Sequence, residues 1–365
     1  MKMGDKVLVT GAAGFIGAAV SAQLAVKGYD VVGIDNINHY YDPRLKLARL
    51  KHNGISLGTA TIKELISPET AHSLEPVVYE TFAPLIEVKS KIFDSLRFIR
   101  MDITDRENLP RLFEREAFDY VVNLAAQAGV RYSITNPWDY IDSNIVGFLS
   151  VLECCRHFPV KHLVYASSSS VYGMNSKAPF SEDDQVGKPV SLYATTKKSN
   201  EAMAYAYGKL YGIKSTGLRY FTVYGPWGRP DMAPMLFAEA ISHGKPIKVF
   251  NHGDLMRDFT FIDDIVTGTI MTLEHLPVGD DNGVAASVYN IGCGHPVKLM
   301  DFIGEIEHYL GREATKDYLP MQAGDVYMTN ADTSKLQQEI GYQPKVQLHE
   351  GIGMFIDWFK TYNKE

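Results

Sequence analysis

Three side chains of this sequence have the types and spacing of a proton-transfer site: Ser168, Tyr193 and Lys197. Tyr193 and Lys197 are four residues apart, so a helix would place them on one face. A free tyrosine has a pKa of about 10 and is a poor base at neutral pH, but a neighbouring ammonium favours the phenolate. Ser168 could hydrogen-bond the reacting oxygen and share its proton with Tyr193. The three residues therefore predict general acid–base chemistry at a bound oxygen atom.

The surrounding sequence predicts the elements that would hold these side chains. Ser168 follows an apolar strand that ends near residue 166, while Pro189 and the capping residue Ser191 precede the helix that would carry Tyr193. Each feature has a plainer reading: a tyrosine and a lysine at this spacing also occur on exposed helices, and serines also serve as turn residues. Their occurrence together favours the catalytic interpretation.

A glycine-rich turn near the N-terminus predicts a phosphate-binding loop. Gly11, Gly14 and Gly17 lie between the strand 7–10 and an amphipathic segment that begins near Phe15. A strand, a glycine turn and a helix bring bare N–H groups and the positive end of the helix dipole to one point, where a pyrophosphate can bind. The spacing is one residue wider than the commonest dinucleotide fingerprint, so a simple small-residue turn remains the alternative.

An acidic residue at the end of the next strand strengthens the dinucleotide interpretation. Strand 30–34 ends in Asp35, which lies about twenty residues beyond the glycines and could accept a hydrogen bond from a ribose 2′-hydroxyl. A 2′-phosphate would bring a second negative group to this carboxylate without a neutralising arginine. NAD is therefore favoured over NADP, although Asp35 could also be only a turn residue.

Composition narrows the class of protein. The chain has 365 residues, of which 45% are hydrophobic and 22% are charged, and its 36 basic residues face 43 acidic ones. This balance does not predict a nucleic-acid partner, and no apolar run approaches the roughly 18 residues of a membrane span. We expect a cytoplasmic protein without a signal peptide. Three cysteines and eleven scattered histidines predict neither a disulfide framework nor a metal site.

The order of elements predicts an α/β fold with a Rossmann-type doubly wound parallel sheet. Apolar runs at 7–10, 31–34, 97–101, 120–124 and 162–166 alternate with helical periodicity. We expect an NAD-binding domain over residues 1–225 and a smaller C-terminal substrate-binding lobe over 226–365, parts of which could return to the main sheet. The proline-punctuated segment 55–94 is longer than an ordinary crossover, and we expect short helices there.

Three longer motifs carry a resemblance to a known family. They are DNINHYYDPRLK at 35–46, AAQAGVRYS at 125–133 and TVYGPWGRPDM at 222–232. With the glycine turn and the Ser/Tyr/Lys group, they resemble the extended short-chain dehydrogenase/reductases, and within them the nucleotide-sugar 4-epimerases, most closely UDP-glucuronate 4-epimerases. The resemblance spans nearly the whole chain apart from the segment 55–94.

The resemblance implies an isomerase that uses tightly bound NAD. Tyr193 would take the proton of the sugar 4-hydroxyl while a hydride passes to NAD, and the 4-keto sugar would rotate and regain the hydride on its other face. Lys197 would bind the nicotinamide ribose, and Ser168 would hold the sugar oxygen. The residues that the resemblance places at the cofactor are Gly11, Gly14, Phe15, Ile16, Gly17, Asp35, Asn36, Asp102, Ile103, Ala125, Ala126, Asn144, Tyr193, Lys197 and Tyr220. Those implied for a UDP-sugar substrate are Arg131, Ser169, Ser170, Thr222, Arg229, Phe250, Arg257 and Asp325.

The choice of sugar depends on groups that meet C6. Thr222 replaces an asparagine of galactose-type epimerases, and a guanidinium at Arg229 could pair with a uronate carboxylate in a forked geometry. Arg229 could equally be a surface residue of a turn, and Arg131 is a second candidate for the carboxylate or a phosphate. A 4-keto uronate can lose carbon dioxide, and related decarboxylases and dehydratases carry acidic residues where this chain has Ser169 and Ser170. We therefore expect epimerisation.

Alternatives remain open on the sequence alone. The chain could epimerise another UDP-hexose, act as a decarboxylase or dehydratase on UDP-glucuronate, or serve as a non-enzymatic NAD sensor on the same fold. The intact Ser168, Tyr193 and Lys197 count against the sensor. The family likeness further implies a homodimer packed through the helix of Tyr193 and its neighbour, and a role in bacterial surface polysaccharide.

Overall fold

The computed structural model describes residues 1–58, 87–175, 177–321 and 326–363. Within these ranges the chain forms strands and helices that alternate through the first two thirds. The strands are β1 Lys6–Thr10, β2 Asp30–Asp35, β3 Glu87–Lys89, β4 Leu96–Arg100, β5 Tyr120–Asn123, β6 His162–Ser168, β7 Ser215–Tyr220, β8 Thr222–Tyr224, β9 Ile247–Phe250, β10 Met256–Arg257, β11 Phe259–Phe261, β12 Ala286–Ile291, β13 Val297–Lys298 and β14 Lys316–Leu319.

The α-helices of the same ranges lie between and after these strands. They are α1 Phe15–Val26, α2 Pro43–His52, α3 Asn108–Glu116, α4 Tyr132–Thr135, α5 Pro137–Tyr140, α6 Gly147–His157, α7 Leu192–Tyr211, α8 Ala233–Ser242, α9 Ile262–Glu274, α10 Leu299–Leu310, α11 Ser334–Ile340 and α12 Leu348–Tyr362. One π-helical turn spans Ile141–Val146, directly before α6, and a 3₁₀ turn spans Ser169–Tyr172, directly after β6.

The main sheet has eight strands in the order β12-β7-β6-β5-β1-β2-β4-β3. All its neighbouring strands are parallel except β3, which pairs antiparallel with β4 at one edge. Apolar runs such as 7–9 in β1 are fully buried, as expected for strands covered on both faces. The predicted doubly wound α/β fold is therefore confirmed.

The parallel arrangement brings distant residues to one edge of the sheet. Strand β1 ends at Thr10 before the glycine turn, β2 ends at Asp35, and β6 ends at Ser168. Because parallel strands present their carboxyl ends on the same side, these three points meet although the sequence separates them widely. The strand order places β1 centrally, between β2 and β5.

Part of the second half of the chain returns to the main sheet. Strand β12 pairs in parallel with β7 over Ala286–Ile291, and α9 packs against α1. The remaining short strands form separate pairs, β8 with β11, β9 with β14 and β10 with β13. Residues on both sides of the proposed boundary at 225/226 therefore contribute to the main sheet and to the helices packed on it.

The long segment predicted to hold short helices is described only at its ends. Residues 59–86 lie outside the described ranges, so the expectation stays a prediction there. At its C-terminal end the expectation was wrong, because residues 87–89 form the edge strand β3. Three residues are too few to show the alternation that identifies a strand in a sequence.

Candidate active site

The glycine turn is closed so tightly that its glycines cannot carry side chains. A Cβ on Gly17 would lie 2.1 Å from the carbonyl oxygen of Gly11, and one on Gly11 would lie 2.8 Å from the amide nitrogen of Ala125. Gly11 also has a φ of 72°, which side-chain-bearing residues rarely adopt. Gly14 is the N-cap of α1, so the first N–H groups of this helix lie at the turn. This cradle fits the pyrophosphate of a dinucleotide.

Asp35 lies at the end of β2 and organises the loops around it. Its carboxylate accepts hydrogen bonds from the backbone N–H groups of Ala13, at 3.2 Å, and Ile37, at 2.7 Å. The Lys46 ammonium, buried on α2, lies 3.6 Å from the same carboxylate. Sequence reasoning gave Lys46 no role, because nothing in the local spacing shows that α2 folds back onto β2.

Asn36 and Asp102 lie together on the wall of the same cavity. The Asn36 amide donates to the Asp102 carboxylate at 2.7 Å, and Thr104 donates to it through both its N–H and its hydroxyl. The two residues follow the ends of β2 and β4, which are parallel neighbours in the sheet, and this explains their proximity. The structure therefore places both next to Asp35, at the cofactor end predicted for them.

The catalytic group is assembled from β6 and α7. Ser191 caps α7 by accepting from the N–H of Ala194 at 3.1 Å, and Tyr193 follows in the first turn of the helix. Tyr193 is hydrogen-bonded to Ser168, whose hydroxyl also accepts from the N–H of Ser170. A serine at the end of a strand thus contacts a tyrosine at the start of a helix, which is the pairing that the sequence predicts.

Burial is the largest influence on the pKa values of Tyr193 and Lys197. Burial raises the pKa of Tyr193, whereas the hydrogen bond from Ser168 and the positive charge of Arg229 act to lower it. Burial also lowers the pKa of Lys197 to about 7, and its Nζ donates to the carbonyl of Ala166 at 2.7 Å. The structure therefore identifies Arg229 as a cation that favours the Tyr193 phenolate, a role that the sequence analysis gave to Lys197. The influence of Lys197 on Tyr193 stays a prediction.

Arg229 lies in a cluster that sequence reasoning only partly identified. Its Nε and Nη2 donate to both carboxylate oxygens of Asp231, at 3.1 and 2.5 Å, and Tyr40 donates to the same carboxylate at 2.8 Å. Burial alone would raise the pKa of Asp231, yet Arg229 outweighs it and lowers that pKa. The close approach of Tyr40 requires Gly129, where a Cβ would be 2.7 Å from the tyrosine oxygen. We call Tyr40, Arg229 and Asp231 the Arg229 cluster.

Most of the predicted residues line one cavity at the carboxyl edge of the sheet. They are Gly11, Gly14, Phe15, Ile16, Gly17, Asp35, Asn36, Asp102, Ile103, Ala125, Ala126, Ser168, Ser169, Ser170, Tyr193, Lys197, Tyr220, Thr222, Arg229 and Arg257. The cavity thus joins the glycine turn at one end with the Ser168–Tyr193 pair and Arg229, as expected for a site that holds a dinucleotide and a substrate together.

Three predicted residues are placed differently, and a fourth lies outside the described residues. Asn144 does not line the cavity: its amide group is fully engaged with the backbone of Gln127 and the hydroxyl of Thr196, behind the wall. Arg131 and Phe250 also lie outside the lining, with the Arg131 guanidinium 5.4 Å from the centre of the Phe250 ring. Asp325 lies outside the described residues.

Asn144 connects two segments behind the cavity wall. It lies in the π-helical turn, and such turns are frequent at functional sites because they redirect a side chain. Its amide joins the loop after β5 to the first turns of α7, one residue before Lys197. The family resemblance implies a cofactor contact for Asn144, but it could not show that the amide points behind the cavity wall.

A buried ion pair supports the catalytic strand and helix. Glu201, two turns beyond Tyr193 on α7, accepts from both Nε and Nη2 of Arg219 and from the hydroxyl of Ser167 at 2.6 Å. Burial acts to raise the pKa of Glu201, but Arg219 outweighs it and keeps the carboxylate charged. Ser167 precedes Ser168, so this pair fixes the strand end against the helix. Sequence reasoning missed it because its partners lie 18 and 34 residues away.

The cysteines, histidines and helices of the described residues bear on the remaining predictions. Cys154 and Cys155 are free, buried cysteines in α6. Within the described ranges, histidine, cysteine and acidic side chains do not gather in groups of three that could hold a metal ion. In the same ranges, helices of the length and apolarity needed to cross a bilayer are absent.

The fold and the site together define a class of protein. A parallel doubly wound sheet, a glycine cradle and a Ser–Tyr–Lys group at one cavity are typical of enzymes that bind a dinucleotide and move protons at a bound substrate. The NAD dependent epimerase/dehydratase family matches residues 7–292, and the chain belongs to this family. It is an enzyme, and its cofactor is NAD.

Individual relatives are similar along their length. UDP-glucuronate 4-epimerase 4 of Arabidopsis thaliana is 43% identical over 98% of this chain and 76% of its own. A probable UDP-glucuronate 4-epimerase of Rhizobium meliloti is 39% identical over 97% of this chain and 96% of its own. The structure of UDP-glucuronic acid 4-epimerase from Bacillus cereus with UDP-glucuronic acid and NAD is 34% identical, covers 98% and 99% of the two chains, and has a TM-score of 0.79.

The glycine cradle leads to a stability and cofactor prediction. Gly17→Ala is expected to lower the free energy of unfolding by about 2 kcal/mol or more, because its Cβ would collide with rigid backbone, and to reduce the NAD that copurifies with the protein. Thermal unfolding and extraction of bound nucleotide measure both. Gly304→Ala on α10 is the matched control, since nothing lies within 4 Å of its Cβ position, and it should be neutral or slightly stabilising. Equal behaviour of the two variants would contradict the prediction.

Proposed function

We propose that the enzyme interconverts UDP-glucuronate and UDP-galacturonate by inverting C4 of the sugar, with NAD held in the same cavity. The observation that carries the proposal is the placement of the Ser168–Tyr193 pair and Arg229 around one cavity that also holds the glycine turn. The Ser168–Tyr193 pair would transfer the proton, and the Arg229 guanidinium would recognise the negative charge of the sugar. The relatives and the bound molecules of the Bacillus cereus enzyme support the same substrate.

The residues that would hold NAD follow from the cradle. The N–H groups at the start of α1 would bind the pyrophosphate, Asp35 would accept from the adenosine ribose, and Lys197 would bind the nicotinamide ribose. When bound, NAD would accept the hydrogen of C4 as hydride and return it to the opposite face. A cofactor that is regenerated in each turnover would not need to leave the cavity.

Proton movement would depend on Tyr193 and Ser168. Tyr193 would take the proton of the 4-hydroxyl as the carbonyl forms and give it back when the other epimer is made. Ser168 would donate to the sugar oxygen and keep it near the phenolate, since it already contacts Tyr193. Arg229 would offset part of the cost that burial places on the phenolate.

The sugar carboxylate would bind beside Arg229 and Thr222. Because Nε and Nη2 of Arg229 are engaged by Asp231, we propose that the carboxylate binds the Nη1 edge while Asp231 holds the guanidinium in place. The hydroxyl of Thr222, which also lines the cavity, would donate to the same group. Two fixed donors would keep the carboxylate from turning into the orientation that favours loss of carbon dioxide.

The acidic residues of the cavity favour epimerisation over a lyase reaction. Among the described residues that line it, the carboxylates are Asp35 and Asp102, and both lie at the cofactor end. Beside the Ser168–Tyr193 pair stand the hydroxyls of Ser169 and Ser170. According to the family resemblance, a decarboxylase or a dehydratase would carry an acid at these positions, so the two serines count against a lyase. A lyase reaction is nevertheless one outcome that the experiment below can detect.

Proton NMR of a turnover mixture tests the proposed function. Purified protein is incubated with UDP-glucuronate without added cofactor, and in parallel with UDP-galacturonate. We expect both mixtures to reach the same ratio of the two sugars, which would also show that NAD is retained. A pentose product with accumulating NADH would contradict the proposal in favour of a decarboxylase. Turnover of UDP-glucose or UDP-N-acetylglucosamine alone would assign another hexose.

We infer further that the enzyme acts in the cytoplasm as a homodimer and supplies a sugar for surface polysaccharide. The dimer is supported by the outward faces of α6 and α7, which expose Leu149, Leu210 and Tyr211. Apolar side chains on neighbouring helices are typical of a helix-bundle interface. A sedimentation-equilibrium mass of one chain at micromolar concentration would exclude it.

A further inference from the structure

An arginine on α2 is completely buried between two loops of the cavity. Arg49 is only 1% exposed, yet it carries a positive charge. Its Nε and Nη2 donate to the carbonyl of Trp227 at 3.0 and 2.7 Å, and Nη2 also donates to the carbonyl of Gly228 at 3.2 Å. Nη1 donates to the carbonyl of Ala13 at 3.2 Å and the hydroxyl of Tyr41 at 2.6 Å. The acceptors named here, three carbonyls and one hydroxyl, are all uncharged.

The carbonyls held by Arg49 belong to a strained turn. Trp227 has a φ of 64°, a left-handed conformation that is costly for a residue with a large side chain. Such a conformation persists only where the surroundings fix it. Two independent contacts do so here: the hydrogen bonds from Arg49, and the packing of the indole ring against Trp358 and Tyr362, at 5.2 and 5.6 Å between ring centres.

The strained turn leads directly to Arg229. Gly228 is the residue before it, so the orientation of the 227 and 228 carbonyls determines where the Arg229 main chain leaves the turn. The Arg229 side chain then spans to Asp231 at 2.5 Å. A rotation of the turn would carry this guanidinium away from the cavity, while Ser168 on β6 and Tyr193 on α7 would keep their positions.

The Arg49 guanidinium also contacts the glycine turn. Ala13 lies between Gly11 and Gly14, and its N–H donates to Asp35 while its carbonyl accepts from Arg49. One side chain from α2 therefore connects the backbone of the cofactor loop with the backbone of the turn before Arg229. A lysine could not replace it, because a single ammonium lacks the planar fork that reaches several carbonyls at once.

We propose that Arg49 is a positioning residue for substrate choice: it fixes the Trp227–Gly228 turn so that Arg229 meets the sugar carboxylate. The inference rests on the proposed function, because Arg229 is assigned there to the uronate. It goes further by placing the origin of acidic-sugar specificity in a residue that touches neither the sugar nor the reacting atoms. Loss of Arg49 should therefore weaken discrimination between sugars rather than proton transfer.

The experiment compares Arg49→Lys with Arg44→Lys, a matched control on the same helix. Arg44 is exposed and pairs with Asp42 at the surface. We expect Arg49→Lys to reduce kcat/KM for UDP-glucuronate by about tenfold or more and to leave the value for UDP-glucose within about threefold of that of wild type. In an Arg229→Met background the same change should cause little further loss for UDP-glucuronate, since the two residues act as one unit.

Equal losses for both sugars, or a full additional loss in the Arg229→Met background, would overturn the proposal and leave Arg49 with a structural role only. Hydrogen–deuterium exchange over residues 225–231 gives a readout that needs no turnover, and we expect faster exchange in Arg49→Lys than in wild type. Unchanged exchange would also overturn it.

Wild-type protein without activity on UDP-glucuronate would instead refute the proposed function, and exchange would still decide the role of Arg49. Arg49→Gln repeats the measurements without the buried charge.

Discussion

Tyr193→Phe is expected to reduce kcat by about 10³-fold while leaving bound NAD and substrate affinity nearly unchanged. The variant keeps the ring in its packing against Tyr140, 6.0 Å away between ring centres, but removes the oxygen that Ser168 contacts. Without that oxygen no group of the pair can take the proton of the 4-hydroxyl. Steady-state kinetics, binding of UDP-glucuronate by calorimetry and extraction of bound nucleotide separate the three effects.

Tyr205→Phe is the matched control for this substitution. Tyr205 lies three turns further along α7, is 38% exposed and donates to Asp280 at 2.8 Å on the surface. It loses the same oxygen from the same helix, far from the cavity, so its kcat should stay within about twofold of wild type. If Tyr193→Phe kept more than about a tenth of wild-type kcat, Tyr193 would not be the general base, and the sensor interpretation would regain weight.

Arg229→Met is expected to reduce kcat/KM for UDP-glucuronate by about 10²-fold or more and that for UDP-glucose far less. The guanidinium is the cation proposed to meet the carboxylate, and a neutral sugar has no charge to lose. The same change removes a positive charge that lowers the pKa of Tyr193. That pKa should therefore rise, so the residual activity should require a higher pH than wild type. Kinetics of both sugars across pH measure both effects.

Asp231 complicates the single substitution, because its carboxylate, on a side chain that is 30% exposed, is paired with Arg229, which lowers its pKa. Arg229→Met alone would leave this charge without its partner, and the pKa of Asp231 should rise. The double variant Arg229→Met with Asp231→Asn removes the orphaned charge and should recover stability without recovering activity on the uronate. Arg111→Met is the control, since Arg111 forms an exposed pair with Glu107 on α3. Equal losses for both sugars in Arg229→Met would contradict its assignment to the carboxylate.

The two sets of variants address different halves of the site. Tyr193 and Ser168 meet at the ends of β6 and α7, whereas Arg229 reaches the cavity from the turn after β8. Proton transfer and sugar recognition are therefore carried by separate segments of the fold. Changes at Arg229 should reduce activity on the uronate far more than on neutral sugars, and changes at Tyr193 should reduce activity on all sugars alike.

Much of the fold could be predicted because its signals are local. The buried parallel strands appear as continuous apolar runs, and the helix of Tyr193 is preceded by a proline and a serine cap that the structure confirms. The edge strand β3 was not predicted, because its three residues carry no period. The return of β12 to the main sheet was left open, because pairing across 70 residues has no signature in either strand.

The candidate site likewise has features that local sequence predicts and contacts that it does not predict. The sequence by itself determined the residue types that can do the chemistry: three glycines in a turn, an acid after the second strand, and a serine, a tyrosine and a lysine at fixed places relative to a strand end and a helix start. These depend on neighbours a few residues away, so spacing reveals them. It also supplied Arg229 as a candidate, but not its partner.

Only the tertiary structure decided which of these groups touch. It paired Arg229 with Asp231 and Tyr40, turned Asn144 behind the cavity wall, and set Arg49 between two loops. Tyr40 and Asp231 are 191 residues apart, and Arg49 and Trp227 are 178 apart. Contacts of that range depend on how whole strands and helices pack, and a buried charge finds its acceptors only when the packing is complete.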